Sequence, residues 1–238
     1  MPVPVLSLLH GFGGGPGQWA PVQAHLQTPS RALTLPGHLG RPPPGNFAEG
    51  VAQLEPELPA GSFLVGYSLG ARLALQLLLA RPTHYRGAVL VGVHPGLEDP
   101  AARAERIQSD EVWAQRLERD GLELFFRAWD QQPLFAAHRR ADPARERERR
   151  RHDPLALAAT LRALSLGRMP FDPPGLGAIT CPVWLVAGAL DQKFVDLSLG
   201  LAGRLSHAEL KVVEGAGHPL PEQAPERLAE LIQAATER

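Results

Sequence analysis

Residues 63 to 79 read FLVGYSLGARLALQLLL, an apolar run broken at Ser68 by a hydroxyl with a glycine two residues away on either side. Phe63 to Tyr67 has the composition of a buried strand, and the segment from Leu69 onward that of a helix. A strand that gives way to a helix at a single residue holds that residue in strained backbone, and glycines at 66 and 70 let the two elements close on each other. The hydroxyl is thereby thrust above the sheet, at a helix N-terminus that favours negative charge. Gly66-Tyr67-Ser68-Leu69-Gly70 fits G-x-S-x-G, and the strand and helix around it carry more weight than the five letters. Ser68 is therefore a candidate nucleophile or base.

Runs of the same Val-, Leu- and Phe-rich character recur at 4 to 10, 31 to 36, 62 to 67, 87 to 93, 182 to 188 and 209 to 215. Helix-length segments lie between most of them, at 17 to 27, 46 to 58, 69 to 81, 194 to 204 and 221 to 236. Strands apolar on both faces and alternating with helices predict an α/β fold, a mostly parallel sheet covered by helices on both sides. In such a sheet, sites gather in the loops at the carboxyl ends of the strands. The alternation fails between Leu97 and about Gly177, where SDEVWAQRLERDGLELFFRAW and PLALAATLRALSL have helical patterns without a strand. The expected organisation is a core of residues 1–96 and 178–238 with a helical cap, or lid, inserted at 97–177. That insertion holds 14 of the 22 arginines and 14 acidic residues, so it is balanced in charge, and its run from 138 to 153 reads as a salt-bridged, solvated face.

The chain of 238 residues, 44% apolar and 21% charged with a net charge of -1, has the balance of a globular protein with a sizeable core. Nothing in it points to nucleic acid or to a membrane surface. Its apolar runs fall far short of the ~18 residues that a membrane span requires, and no basic segment precedes them as in a signal peptide. The expected compartment is the cytoplasm. Cys181 has no cysteine to pair with and no neighbouring ligands for a metal, and reads as a small buried residue before a strand. No metal site is expected, and nothing in the sequence sets the oligomeric state.

A serine hydroxyl needs a neighbour to take its proton, and that neighbour needs a third group to hold its tautomer. Two later loops offer them. Asp191 follows the run ending at Gly188, and His218 follows the run ending at Gly215. Both fall at carboxyl ends of strands, on the rim of Ser68, in the order Ser, Asp, His. His84 and His207 precede strands and fall on the opposite rim, while His25, His138 and His152 are expected on helices. The first strand ends in His10-Gly11-Phe12-Gly13-Gly14-Gly15, where Pro16 breaks a phosphate-binding G-x-G-x-x-G. His-Gly-aromatic-Gly suits an oxyanion loop instead, with the backbone N–H groups of Phe12 and Leu69 aimed at one developing anion.

Gly66 to Gly70, Asp191 and His218 together resemble the α/β-hydrolase fold over most of the chain outside the insertion. A narrower resemblance rests on HGF with Trp19 shortly after, LPGH (35 to 38), GYSLGAR (66 to 72), HPGL (94 to 97), RAERIQSDEVWAQ (103 to 115), WDQQPLF (129 to 135) and LDQKF (190 to 194). These are similar to the 2-succinyl-6-hydroxy-2,4-cyclohexadiene-1-carboxylate synthases of menaquinone biosynthesis, lyases that use a hydrolase triad to eliminate pyruvate from 2-succinyl-5-enolpyruvyl-6-hydroxy-3-cyclohexene-1-carboxylate. The resemblance implies no cofactor, a small polycarboxylate as substrate, and substrate contacts from Arg72, Arg106 and Trp129. It implies a third arginine within 149 to 151, with Arg150 taken as its representative, and Tyr67 beside the serine shaping the pocket. Guanidinium forks suit carboxylates better than a lysine point charge. The chain departs from the family's pattern at Ala71, where a glycine is common, and at Asp130, where an aromatic is common. Two other readings stay open: a carboxylesterase-type hydrolase of a small anionic ester, and a catalytically silent binding protein on the same fold.

Overall fold

The apolar runs become strands because both of their faces are covered. The computed structural model describes residues 5–135 and 142–237. β1 (Leu6–Leu9), β2 (Ser30–Leu33), β3 (Phe63–Tyr67), β4 (Gly87–Val91), β5 (Val183–Gly188) and β6 (Ala208–Val213) form one sheet in the order β2-β1-β3-β4-β5-β6. All five pairings are parallel. Alternate residues feed opposite cores: Leu64, Leu90 and Leu185 enter one, and Val65, Val89 and Val186 the other. At the edge, β6 carries charge instead. Lys211 pairs with Glu209 at 2.7 Å and lies 4.3 Å from the centre of the Trp184 ring, which blunts an otherwise open strand.

The helices are α1 (Ala20–Gln23), α2 (Phe47–Leu54), α3 (Leu69–Ala80), α4 (Pro100–Trp129), α5 (Pro143–Arg149), α6 (Pro154–Ala163), α7 (Pro173–Leu176), α8 (Gln192–Ala202), α9 (Leu220–Gln223) and α10 (Pro225–Thr236). α2, α3 and α8 cover one face through Phe47, Leu54, Leu73, Leu77 and Leu201, and Trp19, Val22 and the Leu228 and Ile232 stripe of α10 cover the other. Each fully buried leucine contributes roughly 1.5–3 kcal/mol of transfer free energy, so α3 is anchored firmly where its first residue follows Ser68. Cys181 is buried just before β5. Two segments expected as single helices are divided: 17–27 into a 3-10 turn and short α1, and 221–236 into α9 and α10. Prolines at 21 and 225 lack the N–H that a continuous helix would require there.

Strand order reverses beside β1, since the chain passes from β1 to β2 on one side and then returns to β3 on the other. A crevice opens outside the carboxyl ends at such a point. It lies between the loop after β1, with Phe12, and the turn after β3, with Ser68.

The segment between β4 and β5 is helical throughout its described elements. Asp99 caps α4 by accepting from the Ala101 and Ala102 N–H groups, with Pro100 at the first position. The helix bends at Gly121 (φ 72, ψ -178), a conformation that costs a residue with a side chain more than it costs glycine. Beyond the bend, Phe125 and Phe126 pack with Ala114, Leu117, Leu157 and Leu161, and Phe12 of the β1 loop joins this cluster. The inserted helices are thus seated on the same rim as the crevice.

Candidate active site

Ser68 sits at φ 52, ψ -107, a left-handed backbone that a non-glycine residue adopts at a cost. Its surroundings hold it there: Ser68 N–H donates to Val91 O at 2.9 Å, and Gly70 N–H to His10 O at 3.0 Å. A Cβ at Gly66 would stand 2.5 Å from Gly70 O, and one at Gly70 only 2.1 Å from Leu9 O. The two glycines of G-x-S-x-G are therefore required by contact between β1, β3 and α3.

The loops after β5 and β6 are tied together by Leu190 N–H donating to Ala216 O and Ala189 N–H to Val213 O, each at 2.9 Å. This brings Asp191 and His218 face to face. Asp191 Oδ2 lies 3.0 Å from His218 Nδ1, and His218 Nε2 lies 3.1 Å from Ser68 Oγ. With the proton on Nδ1 held by the carboxylate, Nε2 is free to accept from the serine, which is the arrangement a general base needs. The imidazole is buried, flanked by Tyr67 at 5.4 Å and Phe194 at 4.4 Å between ring centres. Tyr67 is itself buried, and burial, followed by nearby Glu222, raises its phenol well above the ordinary value, so it serves as a neutral wall.

Among the described residues, neither the Phe12 nor the Leu69 N–H donates to the protein. Leu69 opens α3, where the first N–H groups have no helical acceptor. Four histidines line or support this region without charge. Burial lowers His10 to about 3 and His152 to about 4, and it takes His38 well below the ordinary value of 6.5, with His10 and His152 adding to the effect. His94 is lowered to about 3 by burial and then by Lys193, Arg72 and Arg106. Of the histidines expected on helices, His25 lies in a turn and His152 in a bend before α6, and His138 lies outside the described residues.

These depressed values bear on stability. Between 6.5, the ordinary value, and about 3, the unfolded chain binds more protons at these histidines than the folded one, so stability rises with pH and is lost as pH falls. The thermal midpoint is expected to drop steadily from about pH 7 to about pH 5, above the range in which ordinary carboxylates titrate. A flat profile over that interval, measured by calorimetry, would contradict neutral burial of the four rings.

A cavity of about 860 Å³ opens on Ser68 and is lined by Phe12, Tyr67, Arg72, His94, Arg106 and Trp129 among others. Arg72 donates to Leu164 O at 2.9 Å. Burial, and then the neighbouring Arg106, lowers it to about 10, with Asp110 acting in the opposite sense. Arg106 Nε is shared between both oxygens of the buried Asp110, at 2.9 Å each. Two guanidiniums thus face one carboxylate, leaving a positive excess suited to an anion. Trp129 stacks on Phe125 and touches Phe12, with ring centres 5.3 Å apart in both cases.

Of the arginine run at 149 to 151, Arg149 and Arg151 border the cavity, and the one of them that is buried is Arg149. Arg150, the residue taken to represent it, is exposed and outside the cavity lining, which corrects that expectation. The reason is the phase of α5: position 149 is 4% exposed against Phe126, with its guanidinium 4.2 Å from the ring centre. Asp130, where the sequence departs from the family's pattern, holds Arg149 through both oxygens, at 2.6 and 2.8 Å, and Arg145 at 2.8 Å. The aromatic common at 130 could not make this clamp. Sequence reasoning passed over Arg145 and His94 as lining residues; His94 carried the usable signal, since it follows β4 on the same rim.

The chain matches the model of the Alpha/beta hydrolase family over residues 8–231. It is 36% identical, over 93% of its own length and 89% of the relative's, to the 2-succinyl-6-hydroxy-2,4-cyclohexadiene-1-carboxylate synthase of Salmonella heidelberg. Its structure is similar to that of MenH from S. aureus, with a TM-score of 0.90, 25% identity and coverage of 98% and 93% of the two chains. It shares the fold of a thermophilic esterase from Thermogutta terrifontis, with a TM-score of 0.78, 22% identity and coverage of 97% and 88%. On this evidence the chain belongs to the alpha/beta hydrolase family, and within it to the group of the 2-succinyl-6-hydroxy-2,4-cyclohexadiene-1-carboxylate synthases.

Proposed function

We propose that the chain is a lyase that removes pyruvate from 2-succinyl-5-enolpyruvyl-6-hydroxy-3-cyclohexene-1-carboxylate to give 2-succinyl-6-hydroxy-2,4-cyclohexadiene-1-carboxylate. The observation that carries this reading is a Ser68, His218 and Asp191 hydrogen-bonded line opening on the cavity that also holds Arg72 and Arg106. An ester hydrolase of neutral substrates would have no use for that positive excess.

Asp191 keeps the Nδ1 proton on His218, and His218 Nε2 draws the proton from Ser68 Oγ. The serine oxygen then takes a ring proton from the substrate. The electron pair of the broken C–H bond moves onto the oxygen of the succinyl carbonyl beside that carbon, forming a dienolate with the ring double bond, and the Phe12 and Leu69 N–H groups meet the developing charge. As the charge returns, the ring C–O bond to the enolpyruvyl group breaks and the enolate of pyruvate leaves; the proton held on His218 Nε2 balances it, reaching the enolate's methylene carbon directly or through water to give pyruvate and restore the neutral imidazole. Arg72, Arg106 and Arg149 supply counter-charge for the carboxylates, and Trp129 and Tyr67 shape the pocket. Residues 97–177 act as a cap over the core of 1–96 and 178–238, positioning the leaving group and limiting water. The same reading makes a small polycarboxylate the partner and the cytoplasm the compartment; among the described residues no helix is long and apolar enough to cross a membrane.

The direct test mixes purified protein with the enolpyruvyl precursor and follows pyruvate through lactate dehydrogenase. Stoichiometric pyruvate release, at a rate proportional to enzyme, is expected. No release from the precursor, with ready hydrolysis of small esters, would replace the lyase by an esterase.

A further inference from the structure

Four consecutive N–H groups, at residues 11 to 14, line the loop after β1, and three of them are tied. Gly11 N–H donates to Gln18 Oε1 at 2.9 Å, Gly13 N–H to His38 Nε2 at 3.1 Å, and Gly14 N–H to Gly11 O at 3.2 Å. Only the Phe12 N–H has no acceptor among the described residues, and Phe12 lines the cavity. The peptide that carries this N–H is held at its own carbonyl, Gly11 O, by His10 and Gly14, and His38 holds the next peptide, across the Phe12 Cα, at the Gly13 N–H.

His38 is completely buried, and both of its ring nitrogens are engaged: Nδ1–H donates to Pro36 O at 2.9 Å while Nε2 accepts from Gly13. His10 returns the favour from the other loop. Its Nδ1–H donates to Gly11 O at 2.8 Å, and its Nε2 accepts from Leu35 N–H at 3.0 Å. The loop after β1 thus holds the loop after β2 through His10, and is held by it through His38, with the two rings edge to face at 4.9 Å. The Phe12 ring rests on His38 at 5.7 Å. A donor aimed at an anion contributes to catalysis only when it is fixed before the reaction begins.

We propose that His38 is a positioning residue that aims the Phe12 N–H at the oxyanion by holding the Gly13 peptide; this rests on the role assigned above to the Phe12 amide. The histidine never touches substrate. Its contribution is to reduce the freedom of a glycine-rich loop that would otherwise wander.

Two polar variants separate the two ring nitrogens. In His38→Gln the side-chain oxygen reaches the seat of Nε2 and can accept from Gly13. In His38→Asn the shorter amide can serve Pro36 but leaves Gly13 without its acceptor. The readouts are kcat and KM for pyruvate release, and the rate at which a fluorophosphonate labels Ser68, a reaction in which the serine oxygen bonds to phosphorus and fluoride leaves. The labelling also uses the oxyanion donors but requires no lyase activity. Loss of one such donor costs about 10²–10³ in rate, and misaiming one is expected to cost on the order of tenfold to a hundredfold in kcat and in labelling for His38→Asn, with KM within about twofold and His38→Gln close to the native protein. Equal rates for the two variants, a change confined to KM, or failure of both to fold would overturn the proposal and leave His38 with a purely structural role. Failure of the lyase reading looks different: the native protein would release no pyruvate, while fluorophosphonate labelling would still distinguish Gln from Asn.

Discussion

Ser68→Ala is expected to lower kcat for pyruvate release by at least about 10³-fold, with a folded protein and little change in substrate affinity. The size follows from the geometry. The hydroxyl is the group to which His218 Nε2 is hydrogen-bonded, at 3.1 Å, and on the other side it borders the cavity. Deleting it leaves the imidazole separated from the substrate by the width of an atom, so proton removal would pass to a water with no fixed position. Stability should hardly move, because alanine and serine both carry a Cβ and meet the same backbone strain at φ 52. The oxyanion donors belong to the backbone and survive the change, which is why residual activity above the uncatalysed reaction is expected. Circular dichroism melts and calorimetric binding of a product analogue provide the controls. A folded Ser68→Ala protein turning over at near the native rate would remove the serine from the chemistry altogether.

The parts of the molecule that were readable in advance are those governed by short-range rules. Strands apolar on both faces imply a covered parallel sheet, and a parallel sheet sends every βα loop to one rim, so Ser68, Asp191 and His218 could be assigned to the same edge without knowing the order of the strands. The meeting of their side chains at hydrogen-bond distance depends on more, namely the ties between the loops after β5 and β6 through Ala189 and Leu190. The His10 and His38 clamp lay in two visible motifs, but its reciprocity needs β1 and β2 to be neighbours, and no local pattern encodes that adjacency. The choice among Arg149, Arg150 and Arg151 was opaque for a different reason. Almost every position of α5 after Ala144 is charged, so there is no apolar stripe from which a helical phase could be read. The decisive partner was Asp130, at the end of α4 and beyond its bend at Gly121, which pairs with Arg149 and Arg145. A glycine in a helical stretch signals permission to bend, not the direction taken.

Arg106→Ala is expected to separate the two reactions that a Ser-His-Asp line can perform. Elimination from the tricarboxylate should lose roughly 10²-fold in kcat/KM, about 2–3 kcal/mol, the scale of a charge-assisted hydrogen bond in a partly buried site. Hydrolysis of a small neutral activated ester, which presents no carboxylate to the cavity, should change by less than about threefold, since Arg106 touches none of the triad. Part of the loss would come from what the deletion leaves behind. Asp110 is 2% exposed and is held by Arg106 through both oxygens, so its carboxylate would turn toward Arg72 and cancel the remaining cation. The double variant Arg106→Ala/Asp110→Asn tests this directly: restoring neutrality at 110 should recover a fraction of the loss by freeing Arg72, and the recovered fraction measures the coupling within the cluster. Arg106→Lys should fall between native and alanine, keeping the charge while losing the planar fork that pairs with carboxylates. Parallel losses of elimination and neutral ester hydrolysis in Arg106→Ala would mean that the arginine supports the fold of the cavity and not the charge of its ligand. The positive excess beside Ser68 would then no longer distinguish an enzyme of anionic substrates from a hydrolase of neutral esters.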